Sequence, residues 1–144
     1  MRILLQLKTR QLQDWTDRKI NPDNINPKNY PYRERLLGLL KDHEIYEIDG
    51  PIPLQKSKEL IQWADKIICI DSFLQHLCWY MDRLAIVLWG TSDPLIFGHK
   101  ENINLLKDRK YLREKQFWKW EQAPYIPEAF VEPETVLQYI REDK

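Results

Sequence analysis

The chain has 144 residues, and lysine plus arginine equals aspartate plus glutamate at 22 each, so no global field draws it to nucleic acid or to an acidic membrane. The length suits one domain, residues 1–144, with a proper core. No apolar run approaches a membrane span and the opening lacks a signal-peptide pattern, so the expectations are no membrane span and a cytoplasmic location.

Met1 to Leu7, a basic residue followed by an apolar run, reads as a first strand. Asp17 to Pro31 holds three prolines and four asparagines and reads as a long loop. Asn29 before Tyr30-Pro31 marks a helix start, and Arg33–Lys41 continues as a helix burying Leu36, Leu37 and Leu40. Glu44–Ile48 is a short strand, Gly50–Leu54 a rigid turn set by Pro51 and Pro53, and Ser57 sits in the next helix. Lys66–Ile70 and Leu84–Leu88 are short runs rich in Ile, Val and Leu, which marks strands buried on both faces. The dozen residues between them suit a crossover helix. Pro133 and Glu134 open a closing helix that buries Val136, Leu137 and Ile140.

Strands alternating with helices predict an α/β protein: a single Rossmann-like three-layer α/β/α domain with a mostly parallel sheet. Right-handed crossovers then bring two polar clusters, Asp71-Ser72 and Gly90-Thr91-Ser92-Asp93-Pro94, to one sheet edge. That carboxyl edge is where open parallel sheets bind nucleotides and other anions.

Ser72 and Gln75 form an S-x-x-Q pattern, which predicts a capping box at the start of the helix. Leu74, Leu77, Cys78 and Met81 follow the spacing of one buried stripe. His76 falls on the opposite face with Ser72 and Tyr80, near a helix N-terminus where unpaired N–H groups favour a phosphate. A solvent-exposed histidine beside an ordinary cap is the plainer reading of the same residues.

The segment LIQWADKIICIDSFLQHL at 60–77, then AIVLWGTSDP at 85–94, then Gly98, resembles the donor-binding half of the ADP-heptose:lipopolysaccharide heptosyltransferase family. That family has an A-D-x-x-V-x-x-D-[ST]-G-P-x-H-L pattern followed by a strand and a G-x-T-x-P turn. Lys28-Asn-Tyr-Pro is similar to its K-x-W-P element, and Pro133-Glu-Thr-Val to its closing helix. The resemblance implies that Asp71, Ser72 and His76 line a site for a nucleotide sugar or nucleotide diphosphate. It also implies that Lys28 reaches the phosphates from a loop that moves on binding, and that Gly90 and Thr91 complete the floor. Phe73 and Leu74 stand where the family has Gly-Pro, so side chains are expected to occupy space otherwise left to the donor. A two-domain enzyme of this kind needs about twice this length, its other domain supplying acceptor site and base. The resemblance thus leaves the catalytic residues open and implies transfer only with a second domain from a partner.

A non-catalytic interaction module that keeps the fold without the ligand is the alternative reading. The six tryptophans and seven tyrosines bear on it, because aromatics are enriched at protein contacts, so a partner protein or a homo-oligomer is the matching expectation. The aromatic and lysine mixture at Lys115–Trp120 reads as a segment folded over the domain rather than a base-stacking platform. Asp93-Pro94 reads as a turn, with Asp93 the first candidate should a base lie at this edge. No cofactor and no metal is expected: His43, His76 and His99 are scattered in sequence, and Cys69 and Cys78 sit at core positions.

Overall fold

The computed structural model describes residues 1–10, 17–117 and 123–141. Five strands, β1 (Arg2–Gln6), β2 (Glu44–Glu47), β3 (Lys66–Ile70), β4 (Ile86–Trp89) and β5 (Ile103–Leu106), form one sheet. Its order is β2-β1-β3-β4-β5, and every pairing is parallel. The helices are α1 (Arg33–Leu39), α2 (Leu54–Trp63), α3 (Phe73–Tyr80), α4 (Pro94–Phe97) and α5 (Pro133–Arg141).

The strand residues alternate between two cores, which is why they read as unbroken apolar runs. Ile3, Leu5, Ile68, Ile70, Ile86 and Leu88 pack on one face with Leu36 and Leu40 of the α1 region and Val136 and Ile140 of α5. Leu4, Ile67, Cys69, Val87 and Trp89 pack on the other with Leu60 and Ile61 of α2 and Leu74, Leu77 and Cys78 of α3. Helices therefore cover both faces, as the alternation predicted. Burying a side chain such as Ile68 or Leu88 contributes about 2 kcal/mol.

Several boundaries differ from the sequence expectation. Helix α1 starts at Arg33, because Tyr30 is still paired in extended fashion, its N–H donating to Leu7 O at 2.9 Å. The 84–88 strand begins at Ile86, since Arg83 is committed to the carbonyls of Ile61 and Ala64 at the end of α2. A one-turn helix and a fifth strand, α4 and β5, lie between the 84–88 strand and the closing helix, where no element was expected. Asp93 caps α4 through Leu95 N at 2.9 Å, with Pro94 as its first residue, so the Asp-Pro pair starts a helix rather than a free turn. Trp118 and Trp120 lie outside the described residues.

The chain order places β2 on one side of β1 and β3 on the other, so the sheet has a switch point between β1 and β3. Ligand crevices in such sheets open beyond the carboxyl ends of the strands at that point. No helix among the described residues is long and apolar enough to cross a membrane.

Candidate functional site

The carboxyl ends of β1 and β3 are joined by a side-chain bond. Ser72, the residue before α3, donates its hydroxyl to Gln6 Oε1 at the end of β1, 2.6 Å away. The expected capping box is absent: Ser72 makes no side-chain cap bond, and Gln75 points into the core, fully buried, rather than back to the cap. The reason is Asp71. Its carboxylate, just after β3 and nearly buried, accepts from Gln75 Nε2 at 3.0 Å, a charge-assisted bond that draws the side chain inward and leaves Gln75 Oε1 buried without a partner among the described residues. The Gln75 amide also approaches Phe97 O at 3.4 Å, tying α3 to α4.

Lys28 reaches the same carboxylate from the loop after β1, with Nζ 3.3 Å from Asp71 Oδ2. Asparagines hold that loop. Asn26 Oδ1 accepts from Lys28 N at 3.0 Å, Asn26 Nδ2 donates to Arg10 O at 2.8 Å, and Asn29 Oδ1 accepts from Thr9 N at 2.9 Å. The residues that made the segment read as a loop thus fasten it to the strand end and deliver Lys28 to Asp71.

Lys28, Asp71 and His76 line one cavity of about 420 Å³ together with Ile96, Phe97, Gly98, His99 and Arg113. His76 lies on the exposed side of α3, as its spacing predicted, and its Nδ1 is 2.8 Å from His99 Nε2. Partial burial and the neighbouring His99 hold the His76 pKa below the ordinary histidine value, Asp71 pulling it up and Lys28 pushing it down. His76 and His99, scattered in sequence, are therefore paired in space, whereas His43 lies against the Met1 amino group. Among the described residues no group of three or more His, Cys, Asp or Glu is placed to hold a metal.

The other expected site residues are placed differently. Gly90 is buried under Phe130, and Thr91 is buried with its carbonyl accepting from Arg113 N at 2.9 Å and Gln116 Nε2 at 3.0 Å; neither lines the cavity. Phe73 is 62% exposed and does not line it either, whereas Leu74 is core. Asp93 is held by Arg109 in a two-pronged contact at 2.7 and 3.1 Å, which keeps its carboxyl below the usual range. Gly98 allows the turn after α4 to close: a Cβ there would meet Pro94 O at 2.7 Å and the Trp89 ring at 2.9 Å.

Sequence reasoning missed His99, Arg113 and Gln75. Gln75 carried a signal that fitted a cap equally well, His99 looked isolated, and nothing local marks Arg113.

The arrangement offers two cations, two histidines and a carboxylate around one opening at the strand ends, a set suited to an anionic or hydroxylated ligand. No curated protein and no solved structure gives a significant match to the chain. The model of glycosyltransferase family 9 (heptosyltransferase) matches residues 26–119, a span that includes every residue lining this cavity. The chain belongs to that family.

Proposed function

We propose that this domain binds the diphosphate of a nucleotide sugar at the carboxyl edge, as the donor-binding half of a heptosyltransferase-type enzyme. The observation that carries the reading is the convergence of Lys28, Asp71 and His76 on one cavity, with Arg113 on its wall. A diphosphate would draw Lys28 from Asp71, exchanging one ion pair for charge-assisted bonds to phosphate oxygens. Ser72 would shape the site through Gln6 rather than as a cap, and Gly90 and Thr91 would support it from beneath.

A second cleft of about 620 Å³ opens where the chain leaves β1 and β2, lined among others by Lys8, Arg10, Asn26 and Asn29. It has room for the nucleoside. Asp71 and Asp93, the carboxylates that end β3 and cap α4, are each engaged by a cation, so neither is poised as a base for an acceptor hydroxyl. Transfer would accordingly draw its base from outside this edge.

The test is a calorimetric titration of ADP and a panel of nucleotide sugars into wild type, Lys28→Met and His76→Ala. Lys28→Met should weaken binding about tenfold or more, the loss of one hydrogen bond to a charged group. Equal affinity in the three proteins would sink the site.

One observation favours a partner surface next to the cleft. Phe73, Leu95 and Phe117 are 62%, 82% and 82% exposed on segments that follow the strand ends or pack against α4. An interaction module without ligand would show these side chains protected in a complex while nucleotides have no effect.

A further inference from the structure

His76 and His99 share one hydrogen between Nδ1 of the first ring and Nε2 of the second, 2.8 Å apart, with the rings edge to face at 5.0 Å between centroids. When both rings are neutral, this contact has two forms. If His99 donates from Nε2, His76 accepts at Nδ1 and carries its own hydrogen on Nε2. If His76 donates from Nδ1, His99 accepts at Nε2 and carries its hydrogen on Nδ1. The first form leaves both rings in the Nε2–H tautomer that free histidine prefers, and the second puts both in the disfavoured one. The preference therefore counts twice in the same direction.

His99 is well held for this purpose. Its ring stacks on Trp79 at 4.4 Å and 7°, and its carbonyl accepts from Asn102 N at 3.0 Å and Asn104 Nδ2 at 2.9 Å. His76 Nε2, by contrast, has no hydrogen-bond partner among the described residues, and its ring lines the cavity.

We infer that His99 is a positioning residue that holds His76 in the Nε2–H tautomer, so that a neutral His76 offers a donor to an anion in the cavity. The value of the donor rests on the diphosphate reading above, whereas the tautomer does not. The charged and titratable groups facing His76 are Asp71 at the end of β3, Lys28 from the loop after β1, and His99, with Arg113 on the same wall. Partial burial first, then His99 and Lys28 against the opposing pull of Asp71, lowers the His76 pKa, so the ring is neutral at neutral pH and the position of its single hydrogen decides whether it donates or accepts.

The experiment is long-range nitrogen–proton correlation NMR on ¹⁵N-histidine-labelled protein without ligand, for wild type, His99→Phe and His99→Gln, followed by ADP titrations across pH. Wild-type His76 should show a protonated Nε2 and an unprotonated Nδ1. His99→Phe keeps a ring against Trp79 but removes the donor, and should mix the two tautomers of His76. ADP affinity at neutral pH should fall about fivefold in His99→Phe, a typical hydrogen-bond contribution. The gap should close below the His76 titration, where imidazolium donates from both nitrogens. His99→Gln, whose amide can donate to Nδ1, should restore both readouts. A wild-type His76 protonated on Nδ1 would overturn the inference, as would a His76 spectrum unchanged in His99→Phe. Failure of ADP to bind wild type would fell the diphosphate reading alone, since the nitrogen spectrum decides the tautomer without any ligand.

Discussion

Phe130 lies directly over Gly90. A Cβ built on Gly90 would stand 2.5 Å from the Phe130 Cζ and 2.6 Å from its Cε1, far inside contact distance, and the Phe130 ring is fully buried. Gly90, just after β4, admits the ring of Phe130, which packs with Val136 and Ile140 of α5 in the core on that face of the sheet.

Gly90→Ala should therefore destabilise the protein by about 2 kcal/mol through overpacking, measured by urea denaturation. Combining it with Phe130→Leu should cost less than the two changes summed, because the shorter side chain makes room. ADP affinity of the folded Gly90→Ala protein should be unchanged. A weakened affinity with unchanged stability would return Gly90 to the ligand floor.

Stability should fall on acidification through His76. Its pKa is lowered in the fold from 6.5, so the unfolded chain binds the proton more readily than the native one. The contribution is complete above the unfolded value and is lost as pH falls below it through the folded value. His76→Gln should flatten the dependence of denaturation midpoint on pH in that window. An unaltered profile would show that the ring is not held neutral.

Asp93 serves α4 and Arg109 together. Asp93→Ala should cost about 1–2 kcal/mol, chiefly as a lost cap, whereas Arg109→Met, which removes only a solvent-exposed partner, should cost distinctly less. The folded carboxyl titrates below its ordinary value of 3.8, so this stability is present above that pH and disappears as pH drops through the folded value. Thermal melts of both variants between neutral and acidic pH measure the two parts.

Cys69 and Cys78 are fully buried and unpaired, and burial pushes the Cys69 thiol well up and the Cys78 thiol up to about 12. Neither should react with a thiol reagent in the native protein, and both should react at the rate of unfolding. Rapid labelling of one thiol in native buffer would reveal local opening near β3 or α3.

The strands at the centre of the sheet were legible because both their faces are buried. Lys66–Ile70 has the observed bounds, and the alternation of strand and helix sufficed for the layered architecture. Strand β5 was not legible. Its four residues at the sheet edge include Asn104, whose side chain bonds the Trp89 indole, so no apolar run or period marks it. Lys28, Asp71 and His76 were found together because motif order carries their placement, although nothing local says that Lys28 and Asp71 pair.

What sequence by itself determined was the set of elements whose burial repeats along the chain, together with the edge at which their polar ends collect. Only the tertiary structure decided the partners. Gln75 could accept from the Ser72 N–H or donate to Asp71, and it donates to Asp71 because a nearly buried carboxylate requires a donor. His76 and His99 are 23 positions apart and meet only because α4 and the turn at Gly98 fold back beside α3. Local spacing encodes which face a side chain takes; which group it meets there depends on contacts between distant segments that no spacing records.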